Sequence, residues 1–308
     1  MPLPALVPAP AEVFDRRLTL HGHRISYLEA GADSGGPVVL LVHGLASNRH
    51  TWSNVLPLLG NRLHVIAPDL LGSGDSDKPC TADYSPGAHA SRLRDMLRVL
   101  HLRSAGVVGH SYGGGVAMTF AYQFPERTDR LVLVASGGLG PELSVALRAA
   151  SLPGAALAAH AVCEFTPRWL AGVGRRLVGR LGGLAEADLQ AVGRALSSLR
   201  DGESRRAFTH TVRGTLCWSG QRLAATDRLY LLSGLPTLLI AGRRDSCIPW
   251  QHSEAAHQML PESRLELLDA GHFPHKEQPA LVGELMTGFL AGLPAGPTLV
   301  DVGRAAAC

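Results

Sequence analysis

Glycine stands two residues either side of Ser111 in the stretch VVGHSYGGGVA, Val107 to Ala117, with two more glycines directly after. An apolar run, SAGVVGH, leads into Ser111, and a helix-compatible run, YGGGVAMTFAYQFP, leads out of it. Glycine costs chain entropy, so four glycines packed around one serine mark a place where the backbone needs room. The pattern predicts a sharp strand-to-helix turn that holds Ser111 in a strained conformation with its hydroxyl projecting. A chain with such a turn needs a strand feeding it and a sheet behind it.

The rest of the chain supplies the sheet. PVVLLVHG, RLHVIAPDL, DRLVLVAS, LPTLLIAG and SRLELLDAG are short uninterrupted apolar runs, as expected of strands buried on both faces. RRLTL and RISYLEAG flank His-Gly-His and predict a hairpin. Helical spacing falls between these runs, in SPGAHASRLRDMLRVLHL, QHSEAAHQML and QPALVGELMTGFL. The alternation predicts an α/β fold with a mostly parallel, doubly wound sheet and a site at the carboxyl ends of its strands. The alternation fails from Pro141 to Asp227, which carries helical spacing and no strand pattern. The expected organisation is a core over 12–140 and 228–292, a helical cap inserted over 141–227, and a flexible tail over 293–308.

Composition excludes other classes. The 308 residues carry a net charge of only +3, with no basic stripe, so nucleic acid is not an expected partner. The five cysteines are scattered and lack C-x-x-C, which favours a reducing compartment, and a cytoplasmic location is expected. No stretch reaches the ~20 apolar residues of a membrane span, and the N-terminus does not read as a signal peptide. Phosphate-loop, zinc-helix and dinucleotide motifs are missing, so no cofactor or metal is expected. The expected partner is a small-molecule substrate.

A serine hydroxyl is a weak nucleophile and needs a base, itself oriented by an acid. His272 follows the strand SRLELLDAG and Asp245 follows LPTLLIAG. The order Ser111, Asp245, His272 is that of one serine-hydrolase lineage. His275 is a rival base, and Asp269 a rival acid expected to be structural. The strand LVLVAS is followed by Ser136, Gly137 and Gly138, with no carboxylate, which strengthens Asp245. Backbone amides of Tyr112 and of Leu45, in the loop after PVVLLV, are the expected oxyanion donors. His43 is expected to brace that loop, and His110 to lie beneath the serine turn.

With these motifs together, the chain resembles α/β-hydrolase-fold enzymes with a helical cap. The resemblance rests on His43-Gly44, DLLGSGDSDKP (Asp69 to Pro79), GHSYGGG, GRRDSCIP and GHF, which span the chain except for cap and tail. It implies that Asp69 and Gly72 to Ser76 form a structural loop beside the pocket. Haloalkane dehalogenases and epoxide hydrolases place aspartate where this chain has Ser111. SGGLGP, Ser136 to Pro141, and Asn54 are similar to features of meta-cleavage-product hydrolases, which cut carbon–carbon bonds. Cofactor-free haloperoxidase-like esterases share the same triad. The expected activity is hydrolysis of small-to-medium lipophilic carboxylic esters in an apolar pocket containing Phe165, Trp169, Phe208 and Trp218. The alternatives are carbon–carbon hydrolysis, with Arg168 or Arg213 facing a substrate carboxylate, and ligand binding without turnover.

Overall fold

The computed structural model describes residues 9–158, 161, 186–222 and 225–292. Its central sheet has the order β1-β2-β4-β3-β5-β6-β9-β10. β1 (Val13–Leu20) and β2 (His23–Ala30) form the expected hairpin. His21 and Gly22 both have positive φ, 51° and 79°, the backbone a two-residue turn between right-twisted strands requires. β2 runs antiparallel to β4 (His64–Pro68), and from β4 onward every pairing in this sheet is parallel.

β3 (Val38–Val42) explains the uninterrupted apolar runs. Its residues alternate between two faces: Leu40 and Val42 pack in one core layer, Val39 and Leu41 in the other, and all are buried. The first layer is closed by α2 (Pro86–Val99) through Leu93, Met96 and Leu97, and by α3 (Tyr112–Gln123) through Val116 and Phe120. The second is closed by the short α1 (Leu56–Leu59) and, from the chain's far end, by a helix over Pro279–Leu290. Ser85 caps α2 by accepting from the Ala88 amide, and Pro86 fills the position whose missing N–H costs nothing.

Parallel register brings the strand ends together. Val42 of β3 pairs with Gly109 of β5 (Ala105–His110), and His110 pairs with Val134 of β6 (Thr128–Val134). Val134 pairs in turn with Ile240 of β9 (Thr237–Gly242), and Gly242 with Leu268 of β10 (Ser263–Leu268). The loops leaving β3, β5, β9 and β10 therefore emerge along one edge.

Between β6 and β9 the described residues form α4 (Val145–Ala150), α5 (Glu186–Ser198) and α6 (Gly202–Thr215). This segment is not wholly helical: Leu216–Cys217 (β7) and Gly220–Gln221 (β8) make a short antiparallel pair that two-residue runs do not announce in sequence. After β9 come α7 (Gln251–Met259), α8 (Pro274–Glu277) and α9 (Pro279–Leu290).

Candidate active site

β5 delivers Ser111 at φ 55° and ψ −122°, a region that side-chain-bearing residues avoid, at a cost of about 1–3 kcal/mol. Hydrogen bonds from both sides hold it there. The Ser111 amide donates to the Val134 carbonyl at 3.1 Å, and the Ser111 carbonyl accepts from Gly114 and Gly137, each at 2.9 Å. The flanking glycines are needed for close approach. A Cβ on Gly109 would collide with the Gly113 carbonyl, and one on Gly113 with the Val42 carbonyl.

His272 Nε2 lies 3.0 Å from Ser111 Oγ, and His272 Nδ1 lies 2.8 Å from Asp245 Oδ2. The other Asp245 oxygen accepts the amides of Cys247 at 2.7 Å and Ile248 at 2.9 Å. An ionised carboxylate only accepts, so Nδ1 carries the proton toward Asp245. Nε2 then presents its lone pair to the serine hydroxyl.

The rival residues lie elsewhere. His275 is fully buried, sits 3.2 Å from Thr51 Oγ1 and stacks on Trp52 at 4.6 Å. Burial, then the nearby Lys276 charge, holds it well below the ordinary imidazole range, so it is neutral. Asp269 points into solvent and pairs with Arg244 at 2.7 Å. His43 accepts the Leu70 amide on Nε2 at 3.0 Å and donates from Nδ1 to the Gly44 carbonyl at 2.8 Å, so it ties the β3 loop to the β4 loop. His110 lies under the site and donates from Nε2 to the His272 carbonyl at 2.8 Å. The Leu45 and Tyr112 amides make no backbone hydrogen bond among the described residues, and both residues line the adjoining cavity.

That cavity has a volume of about 1200 Å³ and lies between α5, α6 and the loops after β3, β4, β5 and β10. It departs from the apolar pocket expected from composition. Phe208 lines it, but so do Asn48, Asn54, Gln190, Arg194 and Lys276. Trp218 is 57% exposed and does not line it. Arg213 lines a separate groove, while Phe165, Arg168 and Trp169 lie outside the described residues. Among the described residues of the inserted segment, Gln190 and Arg194 of α5 face the cavity beside Phe208 of α6. Arg194 and Lys276 form no ion pair among the described residues. Burial, then the Arg194 charge, pulls the Lys276 ammonium down to about 8. Gly138 of the SGGLGP stretch donates its amide to Gln221 at 2.7 Å and accepts from Ala225 at 2.7 Å, so that stretch anchors the inserted segment.

Sequence reasoning missed two residues. Arg49 is buried and serves three carboxylates, Asp69, Asp15 at 2.9 Å and Asp75 at 2.8 Å, while its amide donates to Asp69 at 2.6 Å. Burial opposes its charge, but the carboxylates outweigh that and raise its pKa. This network fixes the Gly72–Asp75 loop at the cavity wall. Arg49→Met removes the counter-charge of the fully buried Asp69 carboxylate, which keeps only backbone amides and the Asp75 loop around it. We expect a loss of about 3–5 kcal/mol, read as a drop of about 10 °C in Tm.

The second is Asp188 of α5, 4% exposed, whose carboxylate oxygens are buried without a partner in hydrogen-bond geometry among the described residues. Burial, with Glu277 and Asp245 nearby, raises its pKa, and His272 only partly offsets this. A raised folded pKa contributes stability that is complete below the unfolded value, about pH 4, and lost as pH rises through the folded one. Asp188→Asn, permanently neutral, should match the wild-type Tm near pH 4 and exceed it by about 2 °C at pH 8. Thermal melts across that range check this. A periodicity of apolar residues cannot reveal either residue, because each is defined by partners distant in the chain.

The described donors include one grouping with metal-ligand spacing, Asp245, Cys247 and His272, whose atoms lie within 4.8 Å of one another. Both imidazole nitrogens of His272 are already engaged, so an ion there would break the Ser111–His272–Asp245 chain. Among the described residues no helix is long and apolar enough to cross a membrane.

Residues 37–279 match the family model described as alpha/beta hydrolase fold. An uncharacterized protein of Mycobacterium tuberculosis is 41% identical over 88% of this chain and 80% of its own. The 2-hydroxymuconate semialdehyde hydrolase of Pseudomonas sp. strain CF600 is 29% identical over 90% of this chain and 93% of its own. Among solved structures, the 2-hydroxy-6-oxo-6-phenylhexa-2,4-dienoate hydrolase of Rhodococcus sp. strain RHA1 superposes with a TM-score of 0.71 at 21% identity, over 91% of this chain and 99% of its own.

Proposed function

The chain belongs to the alpha/beta hydrolase fold family, and from that premise we propose that it is a serine hydrolase acting on carboxylic esters through Ser111, His272 and Asp245. The observation that carries the reading is the continuous hydrogen-bonded chain from Ser111 Oγ through His272 to Asp245, launched from a strained strand-to-helix turn.

His272 takes the Ser111 proton as Oγ attacks the ester carbonyl. Asp245, held by two backbone amides, orients the ring and balances its charge. The Leu45 and Tyr112 amides receive the oxyanion, each contributing about 3 kcal/mol to the barrier reduction. The protonated His272 passes its proton to the departing alcohol. Water then opens the acyl-enzyme by the same route.

The inserted segment acts as a cap over the cavity. Its polar wall argues for substrates bearing a polar or anionic group in place of the lipophilic esters expected from composition. The scattered cysteines without C-x-x-C are the basis for placing the protein in a reducing compartment such as the cytoplasm.

A carbon–carbon hydrolase is the second reading. It is favoured by the similarity to a 2-hydroxymuconate semialdehyde hydrolase and by Arg194 and Lys276, which line the cavity without an ion pair among the described residues. The test measures kcat/KM for short p-nitrophenyl esters and for a 2-hydroxy-6-oxo-dienoate. Higher kcat/KM for the esters supports the esterase. Dienoate turnover with esters left intact replaces it by the second reading, and turnover of neither overturns both.

A further inference from the structure

Away from the cavity, α6 carries a basic stripe. Arg206, His210 and Arg213 recur at spacings of four and three, all exposed, while Ala207, Thr211 and Val212 on the other side are buried. The stripe borders a groove of about 310 Å³ whose other wall is the chain after α4, including Leu152 and Leu157. Among the described residues no aspartate or glutamate lines this groove. Arg206 and Arg213 make no hydrogen bond or ion pair among the described residues. Arg205 is different: its guanidinium donates to the Leu199 carbonyl at 2.9 Å and serves the end of α5. Glu203 lies in the first turn of α6, outside the groove.

The aliphatic side chains beside the stripe stand in water. Leu152 and Leu157, which line the groove, are 46% and 62% exposed, too much to be attributed to core packing. Between Ser144 and Ala158 the only charged residue is Arg148.

We propose that this face docks on the surface of an anionic phospholipid bilayer, with Arg206 and Arg213 on lipid phosphates and Leu152 and Leu157 entering the acyl boundary. The two halves of the surface ask for different solvents within one contact. Leucine gains by leaving water, whereas a guanidinium needs a phosphate and cannot leave the polar layer. The headgroup boundary supplies both, and long arginine stems let the charge stay at headgroup level while the carbons sink. A second copy seated on this groove would meet two arginines with no carboxylate of the groove's described lining to pair them. The proposal does not depend on the hydrolase reading.

The test is flotation of the full chain with vesicles of phosphatidylcholine, or of phosphatidylcholine with one-third phosphatidylglycerol. The wild type should float with the anionic vesicles only, and rising salt should release it. Arg206→Glu with Arg213→Glu should lower the partition coefficient about 20-fold or more, from the contribution of each basic residue near such a surface. Leu152→Ser with Leu157→Ser should lower it several-fold at unchanged charge. Tm and turnover of a short soluble ester, read alongside, should stay at wild-type values. Failure of the wild type to float overturns the proposal, as does equal flotation with neutral vesicles or wild-type flotation by the reversed-charge variant. A concentration-dependent dimer abolished by the same substitutions also overturns it and makes the face a self-interface.

Discussion

Ser111→Ala should lower kcat on a p-nitrophenyl ester by about 10⁴-fold or more, with KM little changed. The reason is local. Oγ is the atom within 3.0 Å of His272 Nε2, and no other hydroxyl is hydrogen-bonded to that nitrogen among the described residues. The variant should fold, because alanine bears the same Cβ at φ 55° as serine and inherits the same backbone bonds to Val134, Gly114 and Gly137. A fluorophosphonate probe should label the wild type at Ser111 and leave the variant unlabelled, as read by peptide mapping. Retention of more than a hundredth of the wild-type rate, or labelling at another serine, would remove Ser111 from the proposed role.

Asp245→Asn should cost about 10⁴-fold in kcat without disturbing the loop. An asparagine oxygen can still accept the Cys247 and Ile248 amides. The other carboxylate oxygen is the atom 2.8 Å from His272 Nδ1. An amide NH₂ placed there donates, so Nδ1 must accept and the ring proton moves to Nε2. A protonated Nε2 cannot take the Ser111 proton. The variant should therefore keep its Tm, lose fluorophosphonate labelling in step with turnover, and bind a non-hydrolysable substrate analogue as the wild type does. A loss of less than tenfold would show that Asp245 does not set the tautomer, and Asp188 on α5 would become the carboxylate to test.

Much of this protein is legible along the chain, and the legible parts share a physical basis. Each buried strand announces itself as an apolar run because both its faces meet core, as Leu40 and Leu41 do on opposite sides of β3. Ser111 announces itself because a tight turn admits glycine at fixed offsets. Asp245 and His272 are readable as residues just past strands, a position that parallel register turns into a shared edge. The unread parts are those in which partners are far apart. The position directly past a strand favours His272 over His275, but that His275 packs on Trp52 and approaches Thr51, 224 positions away, is not readable along the chain. The three carboxylates around Arg49 come from β1 and from two places in the loop after β4.

The cavity marks the boundary most clearly. Composition makes the inserted segment look apolar, and an apolar pocket is the natural expectation from it. Folding decides which side of each helix faces the cavity. α5 presents Gln190 and Arg194, and the core answers with Lys276. By itself the sequence determined the sheet, the strained serine turn and the placing of Asp245 and His272 just past strands, because these follow from local backbone geometry and short-range periodicity. Only the tertiary structure decided what holds His275 away from the serine, what lines the cavity and which carboxylates gather on Arg49, because those depend on distances between residues that the chain itself keeps far apart.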